Sequence, residues 1–428
     1  MTAPGPVSRP TLAAPAPDRA AAAATRATYI AFAGSGFAFA SWAARIPQVR
    51  DHLGLSPRDL GLVLLAIAAG SVTALPLSGL VVARLGSRRT VQIMAVVLGA
   101  ALVLVAAGYH VGVAMLAAAL VVFGFGNGAW DVAMNVQGAL VEHRTGRSIM
   151  SRFHAGFSLG TVAGALSAAG LIALGVPVSA HLALVGVLVA VAVVAGTRAF
   201  LPDDAATAAT DAGVTGGAGG AVDAADAADE RPVVTVRRAW REPRTLLIGL
   251  FVLSFTFAEG TGNDWVSVAV VDGYDTSDAV GVLAFAAFLT AMTVGRWFGP
   301  GLLDRYGRVA VVRVLAGVAV AGSLLFVLGP NVPTAFAGAL LWGVGVSLGF
   351  PVGMSAGADD PRAAAPRVSV IASIGYCAFL GGPPVVGFLG EHSTVLRALI
   401  SVSVLLAVAT MLAGAVRPPA ELTRTRTR

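Results

Sequence analysis

Three polar side chains recur at four-residue intervals inside one long apolar stretch of the chain. Asn127, Asp131 and Asn135 stand at positions i, i+4 and i+8, which places all three on one face of a helix. An ionisable group inside such a stretch is costly to bury, so it is by default a functional candidate. We predict that Asp131 binds a proton and that Asn127, Asn135 and the neighbouring Trp130 bind a solute. The alternative is an aspartate that pairs with an arginine for structural reasons.

A second apolar stretch carries Glu259 and Asn263, again four residues apart. Two glycines, Gly260 and Gly262, lie near the middle of this stretch. They favour a broken or bent helix, and irregular backbone survives at membrane depth only where it lines a cavity. The pattern predicts that Glu259 handles a proton or a solute and that Asn263 contributes to solute binding.

The next apolar stretch contains Arg296. A guanidinium group has no accessible neutral form, so it must pair with an acid or reach the membrane surface. Its planar fork suits a carboxylate on a solute, which makes Arg296 a candidate for solute binding. The alternative is a salt bridge to an acidic neighbour or to Asp304.

His154, Trp42 and Tyr376 complete the set of candidate residues. His154 lies at the start of another apolar stretch and titrates near physiological pH, so it is either a proton relay or an ordinary solvated histidine. Trp42 and Tyr376 are predicted to line the solute cavity. The sequence has no His/Cys cluster, no Gly-x-Ser-x-Gly and no Walker loop, so we expect no catalytic residue, metal, cofactor or enzymatic activity.

Composition indicates which elements must position these groups. The chain is 56% hydrophobic and only 12% charged, with a mean hydropathy of +0.80, whereas soluble proteins carry about 25% charged residues. A bilayer is the natural solvent for such a chain, and apolar segments that span it should be helices because backbone polar groups cannot stay unpaired there. We predict an all-α membrane protein with about twelve transmembrane helices in two six-helix bundles. The expected spans are 27–47, 60–83, 91–109, 112–138, 150–175, 178–200, 245–271, 279–302, 309–329, 332–357, 367–390 and 394–416.

The arginines indicate the orientation. They concentrate in alternate loops and at both termini, and cytoplasmic loops are the ones that carry positive residues. Both termini are therefore predicted to be cytoplasmic, in a multi-pass protein of the cytoplasmic (inner) membrane. This dispersed pattern argues against nucleic acid as a partner. We expect a disordered tail at 1–24, an N-terminal six-helix bundle at 25–200, a cytoplasmic linker at 201–243, a C-terminal six-helix bundle at 244–416 and a cytoplasmic tail at 417–428.

Two short hairpin sequences, one in each half of the chain, are versions of each other. The first runs over residues 79–89 (GLVVARLGSRR) and the second over residues 301–308 (GLLDRYGR), and each joins two apolar runs. Arg152 and Arg367 stand at matching positions at the start of the fifth and eleventh spans. Two parallel halves around a central site are a common plan among transporters.

The hairpins resemble the Major Facilitator Superfamily signature Gly-x-Leu-x-Asp-Arg-x-Gly-Arg-Arg. The second copy keeps its acid as Asp304, whereas Ala83 and Ser87 replace an Asp and an Arg in the first copy. The resemblance covers residues 25–416 and implies a carrier that rocks one bundle against the other, commonly coupled to protons. In this family the hairpin acid helps to latch the cytoplasmic side against the eleventh helix. The latch candidates that the resemblance implies are Gly79, Arg84, Gly86, Arg88, Asp304, Arg305, Gly307, Arg308, Arg152 and Arg367.

The fourth span further resembles the fucose permease-like branch, which has an acid followed four residues later by Asn, as in Asp131 and Asn135. In that branch the acid carries the coupling proton. The first span, 27–47, lacks the acid that the fucose permease has there. The leading interpretation is a monomeric symporter in the lipid bilayer that moves a small polar solute, such as a sugar or an organic metabolite, with protons. The alternatives are a drug or metabolite efflux antiporter of the same fold and a non-transporting membrane sensor.

Overall fold

A computed structural model describes residues 19–145, 149–203, 235–360 and 363–418, and the regular elements in these ranges are helices. The all-α prediction is therefore confirmed. The first helix begins at Arg19, so residues 19–24 are helical and the expectation of a disordered tail was wrong for them. The rest of that tail, most of the predicted linker and nearly all of the predicted C-terminal tail lie outside the described residues.

The N-terminal half, residues 19–203, is built from six long helices. Ser56 begins the second of them, since its hydroxyl accepts a hydrogen bond from the backbone N–H of Asp59 at 3.2 Å. The helices are α1 (Arg19–Ala43), α2 and α3 (together Pro57–Val111), α4 (Val113–Thr145), α5 (Met150–Ala173) and α6 (Val178–Gly196), with a short helix at Ile46–Leu53.

The C-terminal half, residues 235–418, repeats this order after a short helix at Val236–Ala239. A capping box of Asn331 and Thr334 begins its fourth long helix. The helices are α7 (Pro243–Gly273), α8 (Asp278–Tyr306), α9 (Arg308–Leu328), α10 (Val332–Val346 and Gly349–Gly357), α11 (Ala364–Glu391) and α12 (Val395–Ala398 and Ile400–Leu412).

Within the described residues, ten helices are long and apolar enough to cross a membrane. The 55-residue segment Pro57–Val111 counts once among the ten, although a non-helical break at Gly86 divides it into two helices. Each of the two is long enough for the ~30 Å hydrocarbon core. Helix α1 is not among the ten. The count of twelve spans stays a prediction.

Glycines bend the chain in the same way in the two hairpins. Gly86 divides the long helix into α2 and α3 with φ 79 and ψ 158, and Gly307, between α8 and α9, has φ 79 and ψ 159. A positive φ costs other residues a steric clash that glycine avoids. The matching glycines in the sequence therefore mark a matching fold of the backbone.

Small residues let the helices of each half approach closely. A Cβ atom on Gly124 of α4 would lie 2.0 Å from the carbonyl oxygen of Ile67 in α2, and one on Gly160 of α5 would lie 2.2 Å from that of Ala33 in α1. Such contacts are typical of helix crossings in membranes. Helix α1 packs on α5 and α3 on α6, and α7 packs on α11 and α9 on α12, so the pairing repeats between the halves.

The two halves meet along two helix pairs, α2 with α11 and α5 with α8. We call the end that carries residues 83–89 and 304–308 the hairpin end, and the opposite one the distal end. At the distal end a Cβ atom on Gly61 would lie 2.5 Å from the carbonyl oxygen of Pro383, and one on Gly387 would lie 2.5 Å from that of Pro57. On the other pair, a distal-end cluster of small apolar side chains is formed by Ala44, Ala168, Ala169 and Val282.

An ion pair also joins the halves at the distal end. Both amino groups of Arg50, which follows α1, donate to the carboxylate of Asp272 at the end of α7, one of them at 2.7 Å. Burial of the guanidinium works against its charge, but Asp272 and Asp51 outweigh that effect and raise the pKa of Arg50 above its usual range. The backbone N–H of Arg58 donates to Glu391 at 3.4 Å beside this pair. The distal end is therefore closed by backbone contact and by charge.

The hairpin ends of the same interface helices are more open. A Cβ atom on Gly79 of α2 or on Gly301 of α8 would have no neighbour within 4 Å. The close contacts between the halves thus lie toward the distal end of the molecule.

Candidate functional site

The polar stripe of α4 is present in the structure. Asn127, Asp131 and Asn135 are half-buried on one helix face. The Asn135 amide donates to the carbonyl oxygen of Asp131 at 2.8 Å and to its carboxylate at 3.3 Å, and the Ser35 hydroxyl of α1 donates to Asn127 at 3.2 Å. Within the described part of the chain no arginine pairs with Asp131. A structural ion pair at this aspartate, the alternative interpretation, is therefore not what the structure has.

Arg296 pairs with Glu259 across α8 and α7. The Arg296 Nη2 atom lies 2.6 Å from Glu259 Oε1, and both side chains are only partly buried, at 27% and 18% exposure. The Arg296 Nε atom also donates to the carbonyl oxygen of Ser347 in the break between the two parts of α10, at 3.4 Å. Of the two interpretations of Arg296, the salt bridge to an acidic neighbour is the one found, and the neighbour is Glu259 rather than Asp304.

Helix α7 runs without interruption through residues 259–265, so of the expected broken or bent helix the break is not found. The two glycines make room for aromatic rings instead. A Cβ atom on Gly262 would lie 2.4 Å from Cζ of Phe288, and one on Gly260 would lie 3.2 Å from the Phe379 ring. Glycine at a membrane helix crossing commonly serves close packing, and here the partners are side chains rather than backbone.

The candidate residues of the two halves converge. Tyr376 of α11 is close enough to Asp131 of α4 for an electrostatic interaction, and His154 of α5 is close enough to Arg296 of α8 for another. Tyr376 is half-buried and packs beside Phe379 with ring centroids 6.2 Å apart. Two groups of predicted site residues thus lie where the halves meet, Asp131 with Tyr376 and Arg296 with Glu259 and His154. We call the partly exposed region that they line the gap.

The predicted tryptophans lie deeper than the polar groups. Trp42 is 2% exposed and Trp130 is fully buried, and neither indole N–H has a partner among the described residues. The Oδ1 atom of Asn263, one turn along α7 from Glu259, is also buried without a partner. A role of Trp42, Trp130 and Asn263 in solute binding stays a prediction.

The first hairpin is held by a network that the sequence analysis missed. The carboxylate of Asp203, just after α6, accepts hydrogen bonds from the backbone N–H of Ser87 at 2.8 Å and from its hydroxyl. Gln137 of α4 donates to the Ser87 hydroxyl at 2.7 Å and to the carbonyl oxygen of Leu201 at 2.8 Å. Ser87 had been treated only as a departure from the signature, although its hydroxyl both donates to Asp203 and accepts from Gln137.

The second hairpin is held by ions at the matching position. Arg308 donates to Asp359, which follows α10, at 2.5 Å, and Arg244 at the start of α7 donates to the same carboxylate at 2.8 Å. Arg367 pairs with Glu242 at 2.7 Å and holds the pKa of that carboxyl below its usual range. The latch candidates Arg84, Arg88, Arg152, Asp304 and Arg305 are exposed.

The closure of the distal end was also missed. Neither Arg50 nor Asp272 was among the candidate residues of the sequence analysis. Arg45 is fully buried beside them, where its Nε atom donates to His181 Nδ1 at 2.9 Å and its Nη1 atom to Gln48 at 2.5 Å. A signal was available for Arg50, since an arginine in a loop that is expected to face outward calls for a nearby acid.

Comparison with known proteins agrees with this architecture. The family model described as the Major Facilitator Superfamily matches residues 28–382. The chain belongs to the Major Facilitator Superfamily. Members of this superfamily are transporters rather than enzymes, so the expectation of no enzymatic activity is confirmed.

Relatives of this superfamily member carry few functional names. An uncharacterised MFS-type transporter of Yersinia pestis is 31% identical over 384 residues, which cover 89% of this chain and 92% of the relative. The membrane protein MosC of Rhizobium meliloti is 26% identical over 384 residues, 88% of this chain and 87% of that protein. These relatives support the family assignment along nearly the whole chain.

Solved transporters share the fold at low sequence identity. The nucleoside transporter NupG has a TM-score of 0.69 at 14% identity and covers 92% of this chain and 98% of its own. The fucose:proton symporter FucP of E. coli has a TM-score of 0.61 at 14% identity, with the same coverage. A bacterial homologue of the human lysosomal transporter Spinster, in an inward-facing and unoccupied conformation, has a TM-score of 0.70 at 12% identity and covers 94% and 98%.

Proposed function

We propose that this superfamily member moves a small polar solute across the cytoplasmic membrane by alternating access, together with protons. One observation carries the proposal. Asp131 lies inside a long apolar helix, has an amide rather than a cation as its partner among the described residues, and is close enough to Tyr376 of the other half for an electrostatic interaction. A carboxyl group in that position can be charged or neutral, and its state is sensed by both halves.

The geometry of the interface supports alternating access. The halves are joined at the distal end by the contacts of Gly61 and Gly387 and by the pair of Arg50 and Asp272. The hairpin end is rich in arginine, so by the positive-inside rule it faces the cytoplasm. We therefore assign this conformation as inward-facing, with both termini of a monomer in the cytoplasm.

The chemistry of the gap favours a solute with several hydrogen-bonding groups. Amides at Asn127, Asn135 and Asn263 and the hydroxyl of Tyr376 offer donors and acceptors, and the ring of Phe379 offers an apolar face. Two of the solved proteins of the same fold are described as a nucleoside transporter and as a fucose:proton symporter. We propose a sugar-like or nucleoside-like solute on the basis of these groups.

The test begins with the purified protein. Sugars, nucleosides, amino acids, organic acids and cationic drugs are screened for thermal stabilisation, because a ligand that binds only the folded state raises its stability. The ligand found is then followed in proteoliposomes with an imposed pH gradient. We expect wild-type protein to accumulate it with the gradient and Asp131→Asn to lose accumulation while it still exchanges the ligand across the membrane.

The exchange measurement is the control for folding and binding. If Asp131→Asn accumulated the ligand as strongly as wild type and with the same dependence on the pH gradient, Asp131 would not be the coupling group. The direction of the imposed gradient that drives movement also distinguishes symport from antiport.

A further inference from the structure

The charge of Arg296 is already satisfied inside the protein. Its Nη2 atom donates to Glu259 at 2.6 Å and its Nε atom to the carbonyl oxygen of Ser347 at 3.4 Å. Guanidinium groups recognise carboxylates and phosphates through these same donors. Glu259 therefore already binds the guanidinium group of Arg296, which an anionic solute in this gap would need.

The ion pair of Arg296 and Glu259 is partly exposed to the gap rather than fully buried inside the C-terminal half. Both side chains keep part of their surface exposed, 27% for Arg296 and 18% for Glu259. Arg296 also interacts electrostatically with His154, which belongs to the N-terminal half. A solute that enters between the halves would meet Arg296 with Glu259 already bound to it.

Three other groups of the gap, Asp131, Asn263 and Tyr376, offer no positive charge to an anion. Asp131 contributes a carboxylate whose hydrogen-bond donor is Asn135. The buried Oδ1 atom of Asn263 has no partner within the described residues, and as an acceptor it calls for a hydrogen-bond donor from the solute. Tyr376 contributes a neutral hydroxyl. An anionic solute would therefore find no cation among these three groups.

We propose that Glu259 is a specificity-determining residue that excludes anionic solutes by occupying Arg296. This inference rests on the proposed transport function and narrows its substrate class to uncharged polar solutes. An anion would have to displace Glu259 and leave that carboxylate partly desolvated without a cation, which is strongly unfavourable. It would also approach the carboxylate of Asp131. Specificity then arises from a repulsive element against the wrong solute rather than from a contact to the right one.

The test uses matched pairs of neutral and anionic probes on the purified protein, read by thermal stabilisation. The pairs are glucose with glucuronate, galactose with galacturonate, and uridine with uridine 5′-monophosphate. Wild type is expected to show no stabilisation by the anionic members. Glu259→Gln keeps the shape of the side chain and releases Arg296, so it should bind at least one anionic probe about tenfold or more tightly than wild type does.

The double variant E259Q/R296Q is the matched control, because it removes the released cation. The gain in anion binding should disappear in it. Glu259→Ala serves as the second variant if Glu259→Gln does not fold, and the same gain is expected there.

The outcomes separate this inference from the transport function. Wild-type protein that binds an anionic probe as tightly as its neutral partner would overturn the inference. So would Glu259 variants that bind none of the anionic probes, or a gain that persists in the double variant. Each of these is a binding result, so proton-driven accumulation in proteoliposomes can succeed or fail independently of it.

Discussion

The ion pair between Arg50 and Asp272 sets how firmly the distal end is closed. Asp272→Asn removes the negative charge and keeps the shape, so the ion pair becomes at best one hydrogen bond from the Arg50 guanidinium to the amide oxygen. Two charge-assisted hydrogen bonds are involved, one of them 2.7 Å long, and a hydrogen bond to a charged group contributes about 1.5–3 kcal/mol. The side chain of Asp272 is 37% exposed, and solvent screening lowers its contribution.

Arg50 also keeps a second acid after the substitution, because Asp51 lies 2.6 Å away. We therefore expect a loss of about 1–2 kcal/mol from the closed distal end, which changes the ratio of closed to open molecules by a factor of roughly 5–30. The inward-facing state is weakened relative to the outward-facing state by that amount.

The assay measures the distance between the halves at the distal end. Leu62 of α2 and Leu389 of α11 are 52% and 38% exposed, next to the contact of Gly61 with Gly387. Cysteines at these two positions, in a Cys377→Ser background, carry spin labels for pulsed dipolar spectroscopy. Asp272→Asn should populate a longer distance.

Asp275→Asn is the matched control. Asp275 lies in the same loop, makes no hydrogen bond or ion pair within the described residues, and has a positive φ of 51 that asparagine tolerates. It removes the same charge without touching the interface. An unchanged distance distribution in Asp272→Asn, or an equal change in Asp275→Asn, would refute the role assigned to the pair.

Three further changes test other parts of the structure. Gly61→Ala would place a Cβ atom 2.5 Å from the carbonyl oxygen of Pro383, whereas Gly79→Ala on the same helix meets nothing within 4 Å. Only Gly61→Ala should lengthen the distance between the spin labels at the distal end. Equal distances in the two variants would argue that backbone contact does not close the distal end. Arg367 lowers the pKa of Glu242, so the stability that this pair adds is present above the usual carboxyl value and is lost as pH falls through the folded-state pKa. The melting temperature of wild type should therefore exceed that of Glu242→Gln at pH 7, and the difference should shrink as the pH is lowered below the usual carboxyl range. Ala83→Asp restores the acid of the signature and should favour the outward-facing state, which cysteine accessibility at the two mouths of the cavity would measure.

The broad architecture could be predicted because it depends on quantities that a sequence carries directly. Apolar length, the alternation of arginine between loops and the repeated glycines of the hairpins indicated a helical membrane protein with two related halves. Gly86 and Gly307 then adopt nearly equal backbone angles. The local preference of glycine for these angles and the turn that the fold requires therefore coincide, as is expected of a sequence that folds to one structure.

The pairing of charged groups was only partly predictable. Glu259 and Arg296 were both singled out, but which of several acids an arginine meets depends on how two helices are rotated against each other. Arg50 and Asp272 are 222 residues apart in the sequence, and no periodicity connects them. Such pairs are products of tertiary packing, so a single sequence cannot rank them.

The error at residues 259–265 has a specific physical origin. Glycine weakens a helix in isolation, and the sequence analysis therefore expected a broken or bent helix. In the structure the absent side chains of Gly260 and Gly262 are replaced by the rings of Phe379 and Phe288, which lie far away in the sequence. Packing by distant residues outweighed local propensity.

The residues that anchor the two hairpins, Asp203 and Asp359, lie at different places in the chain. Ser87 is anchored to Asp203, and the chain runs directly from Asp203 into the segment that joins the two halves. Arg308 is anchored to Asp359, which lies between α10 and α11 within its own half. The anchor of the first hairpin is thus the last described residue before the segment that joins the halves, whereas the anchor of the second lies inside its own half. A displacement of Asp203 would therefore act on the first hairpin alone.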